Sequence, residues 1–61
     1  MTALRDAYPP VGKPVRLWRD GKPVGGQWVI EKHGRTTKYY LWRFLWQTKE
    51  PDEARDAWEA V

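Results

Sequence analysis

Basic and aromatic residues alternate through the middle of this chain, and both types contact nucleic acids. Lysine and arginine neutralise phosphates, arginine hydrogen-bonds guanine in the major groove, and tryptophan stacks on unpaired bases. Any one of these residues could instead be a solvated strand residue, and Trp18 could belong to the core. Taken together, they indicate a nucleic-acid-binding surface of eight candidate residues: Arg16, Trp18, Arg19, Lys22, Lys32, Arg35, Lys38 and Arg43.

Few residues in the sequence could support catalysis. There is no cysteine, and the single histidine, His33, precedes Gly34 in what reads as an exposed turn. The acidic residues cluster near the C-terminus without a partner nucleophile or a metal-ligand spacing, and the glycines do not form a phosphate-binding loop. We therefore predict a protein that is not an enzyme and that has no cofactor, no metal and no small-molecule substrate.

Length and composition indicate one small domain. A chain of 61 residues buries only about 60% of its unfolded surface, so five Trp and three Tyr must supply much of the core. No apolar run approaches the roughly 20 residues that a membrane helix needs, and the absence of cysteine suits a reducing compartment. We expect a soluble, cytoplasmic protein without membrane contact.

Charge is unevenly distributed along the chain. Residues 1–48 hold nine basic and three acidic residues, a net charge of +6, whereas residues 49–61 have a net charge of −3. The overall charge is +3, which favours an anionic partner.

The N-terminal residues 1–13 include Tyr8-Pro9-Pro10 and Gly12, which predict an extended, partly mobile arm. Residues 14–61 then form the single domain. Its first predicted strand is residues 15–19, where the side chains alternate until the turn dipeptide Asp20-Gly21. Pro23 and Gly25-Gly26 allow at best an edge strand or a bulge after that turn.

A β-hairpin is predicted next, with residues 27–32 as one strand and His33-Gly34 as its two-residue turn. That turn would place Trp28 opposite Tyr39. Residues 39–47 alternate aromatic side chains as a strand would, but Leu41, Phe44 and Leu45 also have helical spacing. Strand is preferred, and helix remains the alternative.

The C-terminal residues 51–61 predict an amphipathic helix. Pro51, Asp52 and Glu53 suit a first helical turn, and the apolar stripe comprises Ala54, Ala57, Trp58 and Val61. The predicted fold class is therefore α+β, with a small three-stranded antiparallel sheet or partial barrel covered by one C-terminal helix.

That element order resembles the arm-type DNA-binding domains of phage and transposon integrases and of plant AP2-type factors. The matching residues are Trp28, Gly34-Arg35, Phe44, Thr48-Lys49 and Glu53-Ala54, although the spacing after Phe44 is looser than in that family. The resemblance implies that the sheet lies in the major groove of duplex DNA and directs Arg16, Arg19, Lys32, Arg35 and Lys38 towards it. It also implies an accessory or regulatory protein of a phage or mobile element.

Two other partners remain open. The tryptophans and arginines could anchor a protein–protein interface, as in a small phage-type inhibitor or adaptor, with Trp18, Trp42 and Trp46 as the anchors. Single-stranded DNA or RNA could stack on the same aromatic residues. The expected partner is duplex DNA, and a protein is the alternative.

Overall fold

The chain is described by a computed structural model over residues 1–36 and 38–61. The strands in these residues are β1 (Thr2–Ala3), β2 (Val15–Arg19), β3 (Lys22–His33), β4 (Tyr39–Phe44), β5 (Gln47–Lys49) and β6 (Asp56–Ala60). They form one sheet in the order β1-β6-β2-β3-β4-β5, in which every neighbouring pair is antiparallel. The part of the predicted hairpin that involves Thr37 lies outside the described residues.

The predicted α+β fold class is wrong, because the described residues contain strands and turns but no helix. We expected three strands, whereas the described residues form six. A turn and β6 replace the predicted helix of residues 51–61. No helix in the described residues is long and apolar enough to cross a membrane.

The failed helix has a local explanation in Asp52. Its carbonyl accepts the N–H groups of Arg55 at 3.0 Å and Asp56 at 2.8 Å, and its carboxylate accepts the N–H of Ala54 at 3.0 Å. These bonds form one helix-like turn that Asp52 caps, so Pro51, Asp52 and Glu53 do mark a turn. From Asp56 onwards the backbone instead pairs with β1 and β2, because tertiary pairing overrides a weak helix propensity.

The first predicted strand is confirmed as β2, with its turn at Asp20-Gly21. Asp20 has φ 55° and Gly21 has φ 75°, and a type I′ hairpin turn requires positive φ at both positions. Arg55 holds the Asp20 carboxylate from the neighbouring loop through a 2.6 Å bond from Nη2. Asp20 therefore adopts a left-handed conformation that its short side chain tolerates.

The long strand β3 joins two halves of the sheet. The first half of β3 pairs with β2, and the second half, from Val29 to His33, pairs with β4. The register with β2 shifts between Val15 and Leu17, opposite the Gly25-Gly26 bulge. Gly26 has φ 95°, and a Cβ there would lie 2.6 Å from the Phe44 ring, so only glycine fits.

The register predicted for the β3–β4 hairpin is wrong. His33 pairs with Tyr39 and Ile30 with Trp42, so the connection spans residues 34–38 and is not a two-residue turn. The aromatic partner of Trp28 across the strands is Phe44, at 5.6 Å between ring centroids. The strand preference for residues 39–47 is confirmed for β4, but β4 ends at Phe44 and the chain turns at Leu45-Trp46.

The core is one cluster of buried apolar side chains. Its fully buried side chains come from the N-terminal segment and from β2, β3 and β4: Leu4, Val15, Leu17, Trp28, Ile30 and Trp42. Leu4 lies within residues 1–13, which we assigned to an arm, and the Gly12 N–H donates to the Ile30 carbonyl at 3.0 Å. The N-terminal segment therefore contributes to the core and covers a free edge of β3.

Asp56 is a buried charged residue at the start of β6. Its carboxylate accepts hydrogen bonds from Arg19 Nε at 2.7 Å, from the Trp42 indole N–H at 2.9 Å and from the Asp52 N–H at 3.0 Å. Burial raises the pKa of Asp56, but the hydrogen bonds from these groups outweigh burial and hold the pKa below its ordinary value of 3.8. The carboxylate is therefore charged at neutral pH and links β2, β4 and β6.

Candidate nucleic-acid interface

The end of the β3–β4 hairpin presents the largest group of predicted binding residues. β3 ends at His33 and β4 begins at its partner Tyr39, while Gly34, with φ 93°, begins the connection between them. Ile30 and Trp42, a cross-strand pair three positions nearer the centre of the strands, are fully buried and anchor the hairpin to the core. The hairpin end is thus attached to the core through the paired strands below it.

Three cations surround this hairpin end. Lys32 lies near the end of β3, opposite Tyr40, while Arg35 and Lys38 lie in the connection, and all three side chains are exposed. Within the described part of the chain none of the three forms an ion pair. We name Lys32, Arg35 and Lys38 the hairpin cations. Their charges are free to attract an anion.

Aromatic rings lie beside the hairpin cations. The His33 imidazole and the Tyr39 ring stack at 5.3 Å with 17° between their planes, and 53% of Tyr39 is exposed. Tyr8, from the N-terminal segment, lies 4.9 Å from Tyr40 between ring centroids, tilted by 43°. This end of the molecule therefore combines positive charge with accessible ring surface.

An open pocket of about 420 Å³ lies between these rings, and we name it the tyrosine pocket. Its lining consists of Tyr8, Lys38, Tyr39, Tyr40, Leu41, Glu50 and Pro51. Burial raises the pKa of the Tyr8 hydroxyl, and the nearby Glu53 carboxylate raises it further. The hydroxyl is therefore protonated at neutral pH.

Two of the other predicted binding residues are held by acids. Arg19, half-buried, binds Asp56 and also donates from Nη2 to the Glu50 carbonyl at 2.7 Å. The Arg43 Nε lies 3.5 Å from the Glu31 carboxylate and donates to the Leu45 carbonyl at 3.1 Å. These contacts give both guanidinium groups roles within the fold.

The remaining three predicted residues lie on other parts of the sheet. Arg16 is exposed on β2 and faces Glu59 across the strand pair, while Trp18 is half-buried between its neighbours Ala57 and Pro23. Lys22 is exposed at the other end of β3 from the hairpin cations. The structure thus brings together three of the eight predicted residues and distributes the others.

The sequence analysis did not identify Tyr8, Tyr39, Tyr40 or Glu50 as site residues. The adjacent pair Tyr39-Tyr40 was a usable signal, because successive strand residues face opposite sides and one of two tyrosines is then exposed. No local signal could place Tyr8 beside Tyr40 or bring Glu50 to the pocket that Lys38 also lines, since both depend on how the chain folds back on itself.

A second exposed feature lies at the two-residue turn between β4 and β5. Leu45 is 61% exposed and Trp46 is 83% exposed, and Leu45 has φ 55°. Positive φ at the first position of a two-residue hairpin turn is the role that glycine ordinarily fills, and a leucine there costs roughly 1–2 kcal/mol. These two apolar side chains contribute little to the core.

No protein-family model matches this sequence, and comparison with curated proteins and with solved structures gives no significant match. The resemblance to arm-type integrase and AP2-type domains therefore stays a prediction. The sheet-plus-helix architecture that it implied is wrong for this chain.

Proposed function

We propose that this chain is a non-catalytic DNA-binding domain that contacts the phosphate backbone with its hairpin cations. The observation behind the proposal is the clustering of Lys32, Arg35 and Lys38, exposed and without acidic partners in the described residues, around one hairpin end. In nucleic-acid-binding proteins, clusters of exposed lysine and arginine side chains bind backbone phosphates.

The surface proposed here differs from the one that the sequence suggested. A whole sheet face in the major groove would use Arg16, Arg19 and Arg43, but Arg19 and Arg43 contact acids of the same chain and Arg16 faces Glu59. The hairpin end needs none of these three. It also places His33 and Tyr39 within reach of whatever nucleotides the cations hold.

Fluorescence anisotropy with labelled DNA tests the proposal. Mixed-sequence duplex and single-stranded oligonucleotides should both bind at about 50 mM salt, where electrostatic association is strong. Affinity should fall as salt rises, by about 0.9 log unit per log unit of salt for each duplex phosphate neutralised and about 0.7 for each single-strand phosphate. Undetectable binding of both DNA forms at the low salt concentration contradicts the proposal.

A protein-binding role is the second candidate, and the Leu45-Trp46 turn favours it. An exposed tryptophan at a hairpin tip is a typical interface anchor, and backbone strain at an exposed position is more common at functional sites than elsewhere. Capture of partners on immobilised protein, compared with a Trp46→Ala variant, tests this role. Equal capture by both proteins contradicts it.

A further inference from the structure

The walls of the tyrosine pocket suit a flat ligand with polar edges. Tyr8 and Tyr40 are tilted by 43°, so their faces are not closed against each other, and Tyr39 is more than half exposed. Leu41 and Pro51 add apolar surface, while Lys38 and Glu50 add one charge of each sign. A ring that stacks on tyrosine and hydrogen-bonds at its rim matches this mixture.

The charges at the pocket distinguish between two kinds of ligand that bind to aromatic rings. A quaternary ammonium group also binds among tyrosines, and Glu50 would attract it, but Lys38 lines the same pocket and offsets that attraction. Arg35 and Lys32 add further positive charge at the neighbouring hairpin end. The electrostatics therefore favour a neutral ring that is attached to a polyanion, which is the arrangement of a base in a single-stranded nucleic acid.

Glu50 sets the hydrogen-bonding preference of the pocket. Glu50 is exposed and lines the pocket, and an ionised carboxylate only accepts hydrogen bonds. Cytosine offers an amine donor at N4, which carboxylates recognise in DNA, whereas thymine carries a carbonyl oxygen at the same position. The two bases are similar in size, so the rim carboxylate separates them by chemistry.

We infer that the tyrosine pocket binds an unpaired base with an exocyclic amine, cytosine in preference to thymine, while the hairpin cations hold the flanking phosphates. This inference rests on the proposed DNA-binding function and gives it a substrate class, single-stranded DNA. The base stacks on the exposed Tyr39 ring, and Glu50 accepts its amine.

Anisotropy titrations with ten-nucleotide oligo-dC, oligo-dT and a mixed duplex at pH 7.5 test the inference. The wild-type protein should bind oligo-dC about tenfold more tightly than oligo-dT, within the range expected for one specific base contact. Tyr39→Ala should weaken oligo-dC binding about tenfold, as expected for one lost stacking contact, whereas Tyr39→Phe keeps the ring and should bind as the wild type does.

Glu50→Gln is the matched variant for the rim. The amide can donate to the thymine carbonyl as well as accept from the cytosine amine, so the preference for oligo-dC should fall to near onefold while overall binding persists. The Glu50 contact with Arg19 uses the backbone carbonyl, which this substitution leaves in place. Melting curves of all variants should overlap with that of the wild type, because the altered side chains are exposed.

The outcomes separate the inference from the proposed function. Equal affinity for oligo-dC, oligo-dT and duplex, unchanged by Tyr39→Ala, overturns the base pocket and leaves DNA binding by the hairpin cations intact. No binding to any of the three overturns both. A trimethyllysine peptide is the remaining probe, and its binding, with loss in Tyr39→Ala, would identify a cation site in place of a base pocket.

Discussion

Arg19 and Asp56 face each other across the β2–β6 pair, and the Arg19 Nε donates to Asp56 Oδ1 at 2.7 Å. The Asp56 side chain is fully buried, whereas 21% of the Arg19 side chain is exposed. The same carboxylate accepts from Trp42 on β4 and from the Asp52 backbone. One side chain thus satisfies donors from three different parts of the chain.

Asp56→Asn should destabilise the domain by about 3 kcal/mol, because removing one partner of a buried pair leaves the other charge uncompensated. The partial exposure of Arg19 keeps the loss at the low end of the range for such pairs. Urea unfolding monitored by tryptophan fluorescence measures it, in sucrose if the variant is marginal, because osmolytes favour the folded state.

Asp20→Asn is the matched control for this substitution. Asp20 also forms an ion pair with an arginine, Arg55, and asparagine tolerates the left-handed conformation at that turn. The pair is exposed, so water screens it and the unfolding midpoint should hardly change. An Asp56→Asn variant as stable as Asp20→Asn would contradict the role assigned to the buried carboxylate.

The stability that Asp56 contributes should depend on pH in a defined direction. Burial raises its pKa, but hydrogen bonds from Arg19, Asp52 and Trp42 dominate and place the folded pKa below 3.8. As pH falls, the unfolded chain therefore takes up the proton first, and the contribution is present above about pH 4 and lost as pH drops through the folded pKa.

Urea unfolding of wild type and Asp56→Asn at pH 7, 5, 3.5 and 2.5 checks this direction. The difference in unfolding free energy between the two proteins should be constant at pH 7 and 5 and should shrink at the lower values. The comparison isolates Asp56, since the other carboxylates are common to both proteins. A difference that stays constant to pH 2.5, or that grows, is incompatible with the lowered pKa.

Trp42 and Trp46 give a contrast within one hairpin, four positions apart in the sequence. Trp42 is completely buried and donates to Asp56, whereas 83% of Trp46 is exposed. Trp42→Ala should cost about 3–5 kcal/mol, which removes most of the stability of so small a domain. Trp46→Ala should change the free energy of unfolding by less than about 0.5 kcal/mol, as surface substitutions do.

Thermal unfolding followed by circular dichroism distinguishes the two variants, and quenching by acrylamide verifies the exposure directly. Acrylamide should strongly quench one component of the wild-type tryptophan fluorescence, and that component should be absent from Trp46→Ala. A Trp46→Ala protein that melts far below the wild type would show that Trp46 packs against the domain, and the exposed Leu45-Trp46 turn would then lose its interest as an interface anchor.

Local signals in the sequence predicted some of the strands but not their arrangement. The alternation of Val15–Arg19 and the Asp20-Gly21 dipeptide identified β2 and its turn because both depend only on neighbouring residues. Asp52 does cap a single turn. The prediction of a whole helix from residue 51 failed because no local pattern reveals that Asp56 pairs with Arg19, 37 residues earlier.

In the candidate site, too, the grouping of neighbouring residues was predictable from the sequence, whereas contacts between distant residues were not. Lys32, Arg35 and Lys38 are near one another in the sequence, so their clustering followed from any hairpin there, even though the predicted register was wrong. Tyr8 reaches Tyr40 only because residues 1–13 pack onto the domain. Arg19 looked like a binding residue because its acidic partner is remote in the sequence.

The hairpin cations should control affinity for DNA without controlling stability. Arg35→Glu with Lys38→Glu reverses two exposed charges and should lower the affinity for single-stranded DNA at least tenfold at about 50 mM salt, since two phosphate contacts become repulsive. The slope of log affinity against log salt should become shallower by about 1.4, which is about 0.7 for each lost single-strand contact.

Lys13→Glu with Lys22→Glu is the charge-matched control, because both residues are exposed and Lys22 lies at the far end of β3. If net charge alone drove association, the two double variants would lose the same affinity and slope, and the hairpin end would have no special role. Greater loss in Arg35→Glu/Lys38→Glu, with melting temperatures equal in both variants, locates the phosphate contacts at the β3–β4 hairpin.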